Sequence, residues 1–509
     1  MEFKSILDLR EKEDGSDRPR EAFYQDLNLD YIIKRICLEW EEDVSRFYYY
    51  LPADEACENY RREVFADVKK DGVYESLCGF VERMQLWKEA AEKKEKVRSL
   101  LQKELWHIGG AKYYCDAFLT LEKELSGLEL GSRGMKEFMG YLRECLKEES
   151  FRSLCAAADE TLTGFGGIRL ILDYRDGRLN VTQGEAAGAY EAFLEESFPI
   201  GRQQGDRPDK KAMKSPFDVS VNLSDLEEEV IKIVRKRNPE PFRQAESFCG
   251  RYGEYARETL LRFASEIKYY LSYRCFEKRM QENGFLFAAP ETSGEREMYA
   301  RGLYDLALAC AGGKGEQKTV VSNDAEYREG ESFFVLTGPN QGGKTTFARS
   351  LGQLIYFTKM GLDVPAAAAN VHYFGALLTH FSVEESVETG RGKLKEELER
   401  LKPMMSASAR NAFVVINELF TTAANYDACE MGRRVLSHFA QGQCRGIYVT
   451  HLRELAEGGG EIVSLRAMLD ENGRQSFRIE RSEAVESAGA IRLVDKYRLT
   501  YGQLKERLV

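Results

Sequence analysis

Phe333-Phe-Val-Leu-Thr-Gly-Pro-Asn-Gln-Gly-Gly-Lys-Thr345 decides the reading of this chain: four apolar residues, then a full G-x-x-x-x-G-K-[ST] pattern over 338–345. The pattern predicts a buried strand feeding a tight turn and then a helix, whose N-terminal N–H groups close on phosphate oxygens. Gly338, Gly342 and Gly343 leave room for that approach, and Pro339, Asn340 and Gln341 complete the loop. Lys344 would reach the β- and γ-phosphates as a point charge, and the Thr345 hydroxyl would ligate Mg2+. Thr346 opens the helical run that extends from Phe347 to Phe357. The alternative, a chance glycine-rich turn, would need eight spaced positions to fall together between a strand and a helix. The loop therefore predicts a nucleoside triphosphate with Mg2+.

A phosphate loop needs a second strand whose end positions metal and water, and Phe413-Val-Val-Ile followed by Asn417-Glu418 has that form. Glu418 is the candidate for orienting or deprotonating the attacking water. Asn417 is the second metal candidate beside Thr345. It stands where an aspartate is usual, keeping one oxygen and losing the charge, so weaker metal binding or slower turnover is expected. Thr450-His451 follows the apolar Gly446-Ile-Tyr-Val. A lone histidine after a strand reads as structural; with two motifs upstream, His451 reads as a contact to the γ-phosphate.

At 509 residues and 43% hydrophobic composition the chain exceeds one core and predicts two to four domains. Net charge is −11, so any contact with nucleic acid would rest on a local basic patch. No apolar run reaches eighteen residues and Met-Glu-Phe-Lys opens no signal-peptide core, which predicts a cytoplasmic protein. Eleven scattered cysteines without a C-x-x-C pair read as reduced thiols, not as a disulfide framework or zinc site.

The period of the apolar residues divides the chain. After an N-terminal tail, 1–24, long amphipathic helices are predicted over 25–165 and again over 223–310. Between them, 166–222 reads as a small β insertion, with Ile168 to Tyr174 and Arg178 to Thr182 forming a hairpin turned at Asp176-Gly177 and a further strand at Phe217 to Val221. Residues 311–480 alternate strands and helices as a parallel sheet requires.

Thr337 to Thr345, Gly361-Leu-Asp-Val-Pro-Ala, Glu388-Thr-Gly-Arg-Gly-Lys, Asn417-Glu418 with Tyr426-Asp427, and Thr450-His451 together resemble the ATPase domain of the MutS family in order and spacing. More weakly, Tyr60-Arg-Arg-Glu-Val-Phe-Ala-Asp resembles the family's core segment, 166–222 a shortened DNA-contacting clamp, and Ser487 to Val494 with the residues to Leu508 its dimerising end, giving 481–509 as dimerisation helices. The resemblance implies a long-helix core and lever domain followed by an α/β P-loop ATPase domain of the ABC type, which narrows the nucleotide to ATP. It also implies a homodimer in which each site is completed by the partner's signature helix, here Gly390, Arg391, Gly392 and Lys393. A serine is usual at Gly392. Read without the resemblance, Gly390 to Met404 is an amphipathic helix with Leu394, Leu398 and Leu401 as its buried stripe. Fewer than about thirty residues precede the first long helix, so no mismatch-reading domain is expected.

Two functions follow from the resemblance. One is a dimeric ATP-hydrolysing clamp on double-stranded DNA, with Arg202, Arg207, Lys210, Lys211 and Lys214, and then Lys232, Arg235, Lys236 and Arg237, as phosphate contacts or as solvated charge. The other is an ATP-dependent conformational switch with a protein partner and little DNA binding.

Overall fold

A computed structural model of the chain describes residues 3–9, 20–40, 44–175, 178–183, 223–292, 297–312, 320–381, 393–406, 410–457 and 460–482. Its helices are α1 (Phe23–Asp26), α2 (Leu29–Ile36), α3 (Glu55–Val68), α4 (Asp71–Lys96), α5 (Leu100–Ser126), α6 (Arg133–Lys147), α7 (Glu149–Gly166), α8 (Asp225–Arg237), α9 (Pro239–Arg251), α10 (Glu258–Glu282), α11 (Leu306–Ala311), α12 (Lys344–Lys359), α13 (Lys393–Met404) and α14 (Asn425–Gln441). The strands are β1 (Leu170–Arg175), β2 (Arg178–Gln183), β3 (Met298–Leu303), β4 (Asn323–Tyr327), β5 (Phe333–Thr337), β6 (Ala368–Asn370), β7 (Ala376–Phe381), β8 (Ala412–Asn417), β9 (Arg445–Val449), β10 (Ile462–Leu469) and β11 (Gln475–Arg481).

Contacts gather the chain into two units, Met1–Ile6 with Ala66–Leu271, and Leu7–Phe65 with Ser272–Val509. The first is helical. α4 and α5 pack along their length with Phe80 and Phe118 at 5.1 Å, and the ring of Phe138 stacks on Phe263. Asp67 closes the α6 entry: its carboxylate accepts from the Gly131 and Ser132 N–H groups at 2.8 and 2.7 Å and from Lys70, and these partners hold its pKa below the usual range against the opposing effect of burial. The two strands of the predicted hairpin are present and antiparallel, with Arg175 opposite Arg178; its expected turn at Asp176-Gly177 lies outside the described residues. The strand expected at Phe217 lies outside the described residues. Asn238-Pro239 breaks the helical run, α8 ending on Arg237 and α9 starting on Pro239.

The second unit holds a six-stranded sheet in the order β11-β10-β5-β9-β8-β7, parallel except for β11 at its edge. β8 and β9 are buried at every residue, as strands covered on both faces must be. Phe333, Val335, Val414, Ile416 and Tyr448 pack with Leu401 and Met404 of α13 and with Val435, Leu436 and Phe439 of α14. Phe334, pointing the other way along β5, stacks on Tyr327 of β4 at 3.8 Å.

This grouping departs from the sequence-derived boundaries, which put 25–165 and 223–310 in one helical body. Residues 7–65 and 272–310 join the unit that holds the sheet because their apolar faces are covered there. Leu27, Ile32, Ile33 and Ile36 are buried, the Leu27 carbonyl accepts from Gln353 Nε2 at 3.0 Å, and the Tyr48 carbonyl accepts from Tyr356 Oη at 2.6 Å. Lys359, at the far end of α12, makes a buried ion pair with Glu58 of α3 at 2.6 Å. Nor are residues 3–9 a loose tail: Glu266 accepts from Ser5 Oγ and the Ile6 N–H, and Arg61 donates to the Leu7 carbonyl at 2.7 Å.

Candidate nucleotide site

β5, the turn 338–343 and α12 form the strand-turn-helix the motif requires. Gly338 has φ +137°, and a Cβ there would stand 2.9 Å from Cβ of Ala467, so neither the backbone angle nor the space admits a side chain. α12 starts at Lys344 after Gly343 at φ +85°, leaving its first-turn N–H groups without intrahelical acceptors. The Lys344 ammonium donates to the carbonyls of Gly338 and Pro339, both at 2.9 Å, and so arches over the turn. Burial pushes its pKa down, with Glu418 pulling the other way.

Parallel neighbours bring the remaining motifs to the same edge. In the register, Asn417 of β8 lies beside Val449 of β9, and Val449 beside Leu336 of β5. Thr345 Oγ1 donates to Asn417 Oδ1 at 3.0 Å. Two oxygens at that separation match adjacent corners of a Mg2+ octahedron with arms of roughly 2.0–2.1 Å, so the pair fits the metal in spacing and in chemistry, short of the missing charge. Glu418 follows in the left-handed region, at φ +55°, its N–H donating to the Val449 carbonyl at 2.9 Å. Its Oε1 lies 2.9 Å from Nε2 of His451, which therefore carries its proton on that nitrogen when the carboxylate is ionised. Thr450 N–H donates to the Leu336 carbonyl at 3.0 Å, tying the His451 strand to the phosphate-loop strand.

Sequence reasoning missed the β10–β11 hairpin, which walls the loop. Gln475 Nε2 donates to the Asn340 carbonyl at 3.1 Å, Ala467 abuts Gly338 and Gly342, and Phe477, half-exposed with φ +57°, lies against Gly343. No motif marks these residues; the alternation of Val463, Leu465 and Ala467 with Ser464 and Arg466 along β10 is their one trace in the sequence.

Gly390, Arg391 and Gly392 lie outside the described residues, as do Arg202, Arg207, Lys210, Lys211 and Lys214; Lys393 begins α13. Of the second charged cluster, Lys232 pairs with Glu229 and Arg235 with Glu246 at exposed positions, and Arg237 donates to the Val181 carbonyl. All eleven cysteines are free thiols. Among the described residues there is no cluster of metal-ligating side chains of the zinc kind and no helix long and apolar enough to cross a membrane.

Residues 334–489 match the family described as MutS domain V. The chain is 33% identical to the DNA mismatch repair protein MSH6 of Arabidopsis thaliana over 129 residues, 25% of this chain and 10% of that protein. It is 29% identical to MSH3 of the same plant over 143 residues, 28% and 13% of the two chains. To the DNA mismatch repair protein MutS of Roseiflexus sp. (strain RS-1) it is 27% identical over 208 residues, 38% and 19%. The matched stretches thus span a fifth or less of these relatives.

Proposed function

With the chain a member of the MutS family through its domain V, we propose that it is an ATP-hydrolysing, DNA-binding clamp that works as a homodimer. The observation that carries this is the meeting of Thr345 with Asn417 and of Glu418 with His451 on adjoining strand ends, at 3.0 and 2.9 Å. Mg2+, when bound, supplies neutralisation of phosphate charge and would be held by Thr345 and Asn417. Lys344 exchanges its two loop carbonyls for phosphate oxygens. Glu418 orients the attacking water and takes its proton, and His451, bonded to Glu418, registers the γ-phosphate.

Lever helices over 25–165 and 223–310, a clamp insertion over 166–222, the ATPase domain over 311–480 and dimerising residues 481–509 remain the proposed functional layout, although residues 25–65 and 272–310 belong to the compact unit that holds the sheet. Gly390 to Lys393 complete the partner's site, and Arg202, Arg207, Lys210, Lys211 and Lys214 meet DNA phosphates without reading sequence. Cytoplasmic placement agrees with this work.

The test is ATP turnover with and without duplex, branched and mismatched DNA at two salt concentrations. Stimulation by DNA that weakens roughly 10³-fold or more in affinity between 50 and 200 mM salt supports the clamp with several phosphate contacts. Turnover indifferent to every DNA would replace it with the protein-partner switch.

A further inference from the structure

The turn after β8 is held in a conformation its residues resist. Glu418 and Phe420 both lie in the left-handed region, at φ +55° and +65°, and neither is a glycine. Hydrogen bonds from two sides pin the segment. From the sheet side, the Val449 carbonyl accepts the Glu418 N–H at 2.9 Å. From the other side, Glu397 of α13, a buried carboxylate only 4% exposed, accepts the Phe420 N–H on Oε2 at 3.1 Å.

α13 is itself fixed one turn further on. Arg400 Nη1 donates to the Phe381 carbonyl, the last residue of β7, at 2.8 Å, and its Nη2 stands 3.6 Å from Asp26 Oδ2. Asp26 also accepts from Thr379 Oγ1 at 2.6 Å. Leu401 and Met404 seal the same face into the core that contains Leu419 and Phe420. Glu397 thus projects from an anchored helix onto the backbone two residues beyond the proposed base.

We propose that Glu397 is a positioning residue for hydrolysis: its carboxylate fixes the 418–420 turn and thereby aims Glu418 at His451 and the attacking water. This rests on the ATPase reading above. Glu397 acts through the Phe420 backbone, whose N–H it accepts.

Three variants test it. Glu397→Met removes the acceptor at similar volume, Glu397→Gln keeps an acceptor oxygen without charge, and Glu397→Asp withdraws it by one methylene should the Met variant fail to fold. The measurements are binding of a fluorescent ATP analogue with Mg2+, steady-state turnover, and amide hydrogen exchange at Phe420. For Met, or Asp in its place, kcat should fall about tenfold or more with binding and KM within about threefold, and Gln should restore most of it. The Phe420 amide should exchange about tenfold faster in the Met variant and near the wild-type rate in Gln. Wild-type kcat or unchanged Phe420 protection in the Met variant overturns the proposal, as does a Gln variant as impaired as Met. Exchange that responds as expected in a protein without any turnover would sink the hydrolysis reading and keep Glu397 as the pin of the turn.

Discussion

Gly446 stands where no side chain fits. It lies in β9 between β5 and β8, and a Cβ there would sit 2.0 Å from the Val414 carbonyl oxygen, a backbone atom that cannot step aside. Gly446→Ala should therefore cost at least about 3 kcal/mol, read by urea unfolding, and should slow turnover, because the same strand delivers His451. At the site, Lys344→Ala should abolish nucleotide binding, checked by equilibrium titration with a fluorescent analogue. Glu418→Ala should keep binding and lower kcat by roughly 10²-fold or more; a variant with wild-type turnover would remove Glu418 from the role of base. Lys344 and Glu418 could be singled out because each sits in a short motif whose chemistry dictates residue type, whereas the need for Gly446 shows only in the packing of β9 against β8. Glu397 was not legible: the periodicity of α13 marks Leu394, Leu398 and Leu401, yet Leu398 is 44% exposed and the buried place on that turn belongs to a carboxylate. Amphipathic spacing ranks residues by polarity and so cannot foresee a charge buried for its hydrogen bond.

Elements were legible in proportion to their apolar content. β5, β8 and β9 declare themselves as short apolar runs and prove to be the buried centre of the sheet. β10 and β11, half-buried at the edge, carry weak alternation, and β11 is antiparallel to its neighbour. β7 ends in Thr379-His380-Phe381, all three buried. Burial, then Arg400, pushes the His380 pKa down to about 4, against the Glu397 backbone carbonyl. The folded state thus keeps this ring neutral while an unfolded chain binds a proton below about 6.5, so the contribution is intact above that pH and lost as pH falls toward 4. Between pH 7 and pH 5 this group should remove about 2 kcal/mol of stability, and His380→Leu should flatten that part of the curve by the same amount in urea titrations at the two pH values.

At the scale of the whole molecule, the division of the chain was the least legible feature. Periodicity reports that residues 25–65 are helical and amphipathic; it does not report which partner covers them, and the partner is α12, some three hundred residues away. A fragment over 311–480, cut at the sequence-derived boundary, would expose the α12 surface around Gln353 and Tyr356, both fully buried in the chain. Such a fragment should aggregate or unfold at low temperature, and adding residues 7–65 and 272–310 should restore a cooperative thermal transition with nucleotide binding. A stable, ATP-binding 311–480 fragment would show that the sequence boundary is the true one.

The discontinuity also has a consequence for how the protein is made. Residues 7–65 leave the ribosome before their partners, because the groups that cover them begin at Ser272, roughly 200 residues later, a delay of about 10–40 s at ordinary rates of synthesis. During that interval Leu27, Ile32, Ile33 and Ile36 are nascent apolar surface without a mate, while the largely contiguous helical unit between them can already close. Translation speed through residues 66–271, and the availability of a chaperone that shields nascent helices, therefore set how much of this protein reaches its native state.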